Sequence, residues 1–172
     1  MAFTFVNVES DYPCRSSSDP TPPMRLAFCL MAALLPAVSA AQDTTPDELL
    51  DRVEKHFKTT PRTQALADVS DRQGQFVIGD LYVFCIDAKG VIVANGGFNS
   101  LIGKRADQFK LGHAGEVAKR ALQEMKGQQR GQVDYDWLNP KTSALETKHV
   151  QLRRIGNDIC GAGLYESSIA AN

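Results

Sequence analysis

Residues 80–97, Asp-Leu-Tyr-Val-Phe-Cys-Ile-Asp-Ala-Lys-Gly-Val-Ile-Val-Ala-Asn-Gly-Gly, constrain the fold more than any other stretch of the chain. Leu81 to Ile86 is an unbroken run of β-branched, aromatic and other apolar residues, the pattern of a strand covered on both faces. Asp87-Ala88-Lys89-Gly90 reads as a four-residue turn. The Asp87 carboxylate can accept from the backbone two residues on, and Gly90 suits the last turn position. Val91 to Val93 begin a second strand, and Asn95-Gly96-Gly97 end it. The rest of the fold must then extend this hairpin's sheet or cover its faces.

The flanking segments fit those roles. Thr45-Pro46-Asp47-Glu48 starts a helix: Thr45 caps, Pro46 takes the first position and Glu48 completes a capping box. Leu49, Leu50, Val53 and Phe57 fall on one face of it. Thr60-Pro61 repeats the start signal, and Ala65, Leu66 and Val69 give a second, shorter helix. Residues 114–126 form a third, with Val117, Ala118, Ala121, Leu122 and Met125 inward and Gly127 as its stop. Residues 132–137 alternate: Val133, Tyr135 and Trp137 face one way, Asp134 and Asp136 the other. Strands at 147–155 and 159–165 follow, joined by a tight turn at Gly156-Asn157-Asp158. Gly161 and Gly163 inside the last strand imply a bulge or the close approach of another group. Helix, helix, hairpin, helix and three strands joined by short turns make an α+β domain with one antiparallel sheet.

At 172 residues the chain has the length of one domain with appended tails. A net charge of -1 gives no basic footprint for nucleic acid. Residues 24–40 have the order of a secretory signal: the basic Met24-Arg25, an apolar run from Leu26 to Leu35, and small residues Val38-Ser39-Ala40 before a cleavage point. The run is too short for a comfortable membrane span, which needs about 20 residues. Residues 1–23, polar and rich in Pro and Ser, precede an apparently complete signal and read as a mis-called extension. Cleavage after Ala40 leaves Cys85 and Cys160 as the cysteines of the mature chain. No Cys or Cys/His spacing suggests a metal site, and no cofactor is expected.

The ordered pieces of the sequence resemble the single-Cache family, the extracellular relatives of the PAS fold. The pieces are Gly74-Gln75-Phe76-Val77, Gly79 to Phe84, Asp87 and Gly90, Leu101-Ile102-Gly103-Lys104, Val133-Asp134-Tyr135 with Trp137 and Asn139-Pro140, Glu146 with Lys148, and Gly161 to Glu166. The resemblance covers roughly residues 46–166, within a domain of 44–168. It implies a five-stranded antiparallel sheet of order 2-1-5-4-3, a long N-terminal helix along it, and a pocket for a small extracellular ligand, often a short organic acid. Such domains usually sit outside the membrane on chemoreceptors or histidine kinases. No membrane helix or kinase follows here, so the expectation is a stand-alone secreted protein in the periplasm. Relatives often carry an aromatic residue at the position of Gln151, and the departure is expected to bear on ligand identity.

On that basis the candidate ligand-binding residues are Tyr82, Tyr135, Trp137, Lys148 and Tyr165. Tyr135 and Trp137 either stack on a ligand or are ordinary core aromatics. Lys148 shares strand parity with Val150 and Leu152, so it either meets a ligand carboxylate or snorkels to water from a strand end. Arg153 and Arg154 are adjacent and face opposite ways, with one expected in solvent. In the implied sheet order the strands of Cys85 and Cys160 are antiparallel neighbours. A cross-strand disulfide between them stands beside the alternative of two buried thiols. His56, His113 and His149 are scattered, and no nucleophile or acid–base constellation is present, so no enzyme is expected. The leading reading is a periplasmic sensory module binding a short organic acid or similar ligand. The alternative is an accessory subunit docking on a membrane sensor or transporter, with a vestigial pocket.

Overall fold

The computed structural model describes residues 44–111 and 113–171. The signal expected at 24–40, the extension expected at 1–23, Cys14 and Cys29 lie outside the described residues. Helices α1 (Pro46–Thr59) and α2 (Arg62–Ser70) lead into strands β1 (Val77–Ile78), β2 (Leu81–Ile86) and β3 (Ile92–Asn95). Helix α3 (Ala114–Glu124), strands β4 (Arg130–Leu138), β5 (Leu145–Ile155) and β6 (Asp158–Tyr165), and a short helix α4 (Glu166–Ala170) complete the domain. None of the described helices is long and apolar enough to cross a membrane.

The local signals act as their chemistry requires. Thr45 Oγ1 accepts from the Glu48 amide at 3.3 Å, and the Glu48 carboxylate accepts from the Thr45 amide at 2.9 Å. This closes the capping box of α1. Pro61 cannot continue α1, so the expected long helix is split, and Pro61 takes the N-cap position of α2. Asp87 Oδ1 accepts from the amides of Lys89 at 2.8 Å and Val91 at 2.9 Å. Gly90 adopts φ +80°, which lets the hairpin close.

The sheet is antiparallel, in the order β3-β2-β6-β5-β4. Counting the five main strands along the chain, that is the expected 2-1-5-4-3. The two-residue β1 is an addition and pairs with the start of β2 on the edge that β3 uses further along. The second hairpin strand runs Ile92–Asn95 rather than starting at Val91, which instead forms an isolated bridge with Arg105. Strands β4 and β5 each begin two residues before the alternation suggested.

One face of the sheet is covered by α1 and α2. Leu49, Leu50, Val53, Leu66 and Val69 pack there with Val83, Ala162 and the paired Cys85 and Cys160. The two cysteines are direct register partners of the central strands, and their sulfurs are bonded. Arg153 also faces this side, buried, and is held by Asp47 at 2.9 Å and by Asp51 of α1. Arg154 turns to the other side and donates to the carbonyls of Gln128 and Met125. Neither arginine is the freely solvated one that adjacency alone suggested. Both sit far enough inside the sheet to find partners on the elements flanking it. Gln151 shares the parity of Arg153, so it lies on the helix-covered face and cannot line a pocket on the other.

The other face is covered by α3 and the loop after β3. Ile86, Ile92, Val150, Leu152 and Ile159 pack with Ala121 and Met125. Helix α3 approaches closely because Gly115 has no side chain: a Cβ there would lie 2.3 Å from the Phe109 carbonyl oxygen.

Candidate functional site

Side-chain parity places the candidate residues on the α3-covered face. Along the sheet, Tyr135 pairs with Lys148 and Lys148 with Tyr165. The adjacent row runs Tyr82, Gly163, Val150, Val133. Gly163 puts no side chain on this face, and the Tyr82 ring and the Lys148 stem meet across the space. The Lys148 Nζ sits 3.5 Å from the Tyr82 ring centroid and 4.8 Å from that of Tyr165.

Lys148 is fully buried, and its Nζ has no hydrogen-bond partner. It therefore does not snorkel. Burial pushes its pKa well below the ordinary lysine value, against a smaller opposing pull from the carboxylate of Asp80. Asp80 is itself buried and engaged by the hydroxyl of Ser168 and, at 3.4 Å, by the amide of Asn139.

The tyrosine hydroxyls are already committed. Tyr165 donates to the Leu138 carbonyl at 2.9 Å, so the 3.1 Å contact between the two hydroxyls is a donation from Tyr82 to Tyr165. Burial raises the pKa of both, so both are neutral hydroxyls. Tyr82 and Tyr165 act as walls around the amine and have no spare proton for a ligand. Tyr135 is half-buried, and burial raises its pKa too.

Next to this cluster lies an apolar cavity of about 60 Å³ between the sheet and α3. Tyr135 and Trp137 line it; Tyr82, Lys148 and Tyr165 do not. The five candidates therefore divide into two cavity-wall aromatics and a buried three-residue cluster behind them. Tyr135 joins the two groups, because it is both a cavity wall and the direct cross-strand neighbour of Lys148. Trp137 stacks edge-on with Tyr135 and with Phe98, and Phe98 in turn meets Tyr82. Gly161 makes room for the cavity's back wall: a Cβ on it would lie 2.6 Å from Phe84 Cζ. It permits a close approach, the second of the two roles its sequence position allowed.

Sequence reasoning missed several members of this site. Phe84, Phe98 and Phe109 surround the aromatic pair, and Asn95 lines the cavity. Asn95 Oδ1 accepts from the amides of Gly97 and Phe98 at 3.0 and 2.7 Å, which fixes its side chain at the cavity wall. In the sequence Asn95 reads as a strand stop, which it also is. Among the described residues no group of three or more His, Cys, Asp or Glu side chains is arranged to hold a metal. His113 and Glu116 are exposed and 4.0 Å apart, and His149 bonds Asp134 at 3.0 Å on the outer sheet surface.

Comparison with known proteins agrees with this architecture. No curated protein sequence matches the chain. A methyl-accepting chemotaxis protein from Vibrio parahaemolyticus superimposes with a TM-score of 0.57 at 17% identity, covering 70% of this chain and 83% of that one. A Cache chemosensory domain described for its carboxylic acid recognition gives 0.54 at 20% identity, covering 69% and 84%. The periplasmic sensor domain of a chemotaxis protein gives 0.55 at 17%, covering 70% and 87%. At these identities the likeness is one of fold. The family description Single Cache domain 2 matches residues 47–157, which span α1 to the β5–β6 turn and hold every element that lines the cavity except β6. With the sheet order and the pocket face both in place, the chain belongs to the single Cache sensor-domain family.

Proposed function

We propose that this domain is a small-molecule sensor module that captures a short organic acid without transforming it. The observation that carries the reading is Lys148: a fully buried amine with no hydrogen-bond partner, walled by two tyrosine rings and one strand away from an apolar cavity. Burying an unpartnered amine costs stability, so a fold that keeps one there has an unmet demand for an anion. A carboxylate beside Nζ would meet it with a charge-assisted hydrogen bond and would favour the protonated amine. Tyr135 and Trp137 would then contact the rest of the ligand.

The order of charge, apolar run and small residues over 24–40 supports export to the periplasm, with a mature N-terminus at Ala41 or Gln42. A membrane sensor or transporter is the expected partner. Intact-mass measurement of periplasmic protein checks the processing, and a species retaining residues 24–40 would replace export with anchoring.

A thermal-shift screen against short carboxylates and amines tests the binding. A specific ligand raises the melting temperature by linkage, by about 2.7 kcal/mol of added stability at a hundredfold excess over Kd. Carboxylates are expected to shift the wild type, and Lys148→Met is expected to abolish the shift. The small cavity favours a second reading, an accessory subunit whose pocket is vestigial. In that case no compound in the screen moves the transition.

A further inference from the structure

Strand β4 ends the sheet: among the described strands it pairs with β5 alone. The Arg154 amide donates to the Gln129 carbonyl at 2.9 Å, and the Asn139 amide donates to the Ala144 carbonyl at 2.8 Å. Bonded positions alternate in an antiparallel ladder, so the odd-numbered residues of β4 are the ones tied to β5. The amides and carbonyls of Arg130, Gln132, Asp134 and Asp136 therefore point away from the sheet, and no described residue bonds them. This edge has no Pro, and its register with β5 is unbroken by any bulge that would twist it away. An open groove of about 790 Å³ runs beside it, between Glu116, Lys119, Arg120 and Gln123 of α3 and Asp134 and Asp136 of β4. We infer that a second copy of this chain docks on this edge, its β4 antiparallel to the first about a twofold axis at Val133.

The charges along the strand select that register. With the axis at Val133, Arg130 lies opposite Asp136 of the second copy and Gln132 lies opposite Asp134, each pair occurring twice by symmetry. Every outward amide and carbonyl from 130 to 136 then meets a partner. Val133 meets its own copy beside the apolar cluster under α3. An axis at Asp134 would oppose two Asp134 carboxylates, and one at Tyr135 would oppose Asp134 to Asp136; like charges directly opposite are destabilising. An axis at Gln132 shortens the paired stretch and puts Asp136 opposite a residue outside β4. The side chains are free to take these partners. Asp134 meets His149, and Asp136 accepts from Thr147, through Oδ1 in both cases, so each Oδ2 is open among the described residues. Arg130 makes one exposed ion pair, 3.5 Å from Asp47, which is worth little in water. Leu138, whose carbonyl takes the Tyr165 proton, lies beyond the paired stretch. The α3 flank beside the edge carries both signs of charge, so it raises no single-signed field against a second copy.

Sedimentation equilibrium of the purified protein over a concentration series tests this, and a monomer–dimer equilibrium is expected. Gln132→Pro removes an amide that points away from β5, so the ladder within the chain stays whole while dimerisation is lost. Arg130→Glu is expected to weaken the dimer about tenfold, because two symmetry-related pairs turn from attraction to repulsion. Exchanging the charges, Arg130→Glu with Asp136→Arg, is expected to restore it. The two residues are about 20 Å apart along one strand, so the rescue can only act between copies. If Gln132→Pro does not fold, the charge exchange decides alone. A protein that stays monomeric up to about 1 mM overturns the inference. So does a dimer indifferent to Arg130→Glu, or an exchange that fails to restore what the single reversal removes.

Discussion

Replacing Lys148 by Met is predicted to stabilise the empty domain while disabling it. Met keeps the length and the apolar stem and removes the amine. In the native protein that amine has no hydrogen-bond partner and no exposure, which costs about 1–3 kcal/mol. The offsetting attraction to the Tyr82 ring is at most ~2 kcal/mol, and it acts only on the protonated form that burial disfavours. The net gain on substitution is therefore about 1 kcal/mol at neutral pH, or roughly 4 °C in Tm for a domain of this size. The sign of the pH dependence follows from the direction of the shift. The native pKa lies below the unfolded one, so at pH values below the native pKa both states hold the proton and the native state bears the full penalty. As pH rises from the native value towards the ordinary lysine value, the unfolded state holds the extra proton and the penalty lifts. The stability advantage of Lys148→Met should thus shrink as pH rises through that window. Urea unfolding of both proteins over a pH series measures the difference, and the groups they share cancel. A variant less stable than wild type by 1 kcal/mol or more, or a gap that ignores pH, would refute the reasoning and make Lys148 a structural residue.

Three further outcomes follow from contacts elsewhere in the domain. Residues 41–172, denatured without reductant, should show no titratable thiol, and replacing both Cys85 and Cys160 with Ala should cost about 4 kcal/mol in the chain-entropy model for their separation of 75 residues, read from urea midpoints. Arg153→Met should cost about 1.5–3 kcal/mol, the worth of charge-assisted hydrogen bonds, since the half-exposed Asp47 and Asp51 regain water when the arginine leaves; unchanged stability would mean that α1 docks on its apolar face alone. Gly161→Ala should push the Phe84 ring towards the cavity, costing about 1–3 kcal/mol by overpacking and weakening ligand binding, measured by unfolding and by titration with the best carboxylate of the screen.

Most of the fold is visible in the sequence because its signals are local. The capping box at Thr45, the Asp87–Gly90 turn and the alternation through Val133, Tyr135 and Trp137 each specify their own geometry within a few residues. The departures come from contacts across the chain. Val91 has the residue type of a strand, but its partner is Arg105 in a distant loop, and β1 is defined only by pairing with Tyr82 and Leu81. Gln151 departs from the residue type that the family resemblance implies at its position. Parity from Lys148 places it on the face covered by α1 and α2, opposite the cavity, which a residue-type pattern alone does not reveal.

The site is legible only in part, and the reason is physical. Parity along β4 and β5 identifies which face Tyr135, Trp137 and Lys148 share, because a strand fixes that with a period of two. It does not say which hydroxyls are already spent. Tyr82 and Tyr165 look like donors in the sequence, but Tyr165 gives its proton to Leu138 and Tyr82 gives its own to Tyr165, through contacts 27 and 83 residues apart in the chain. The same register that satisfies the two hydroxyls leaves the Lys148 amine between their rings with nothing to bond. Of the five candidates, Lys148 is therefore the one whose polar group is both buried and unspent. Its neighbours supply shape and low dielectric, which strengthens whatever charge arrives there. Recognition in this domain would then rest on a single amine whose cost in the empty state is the source of its affinity in the filled one.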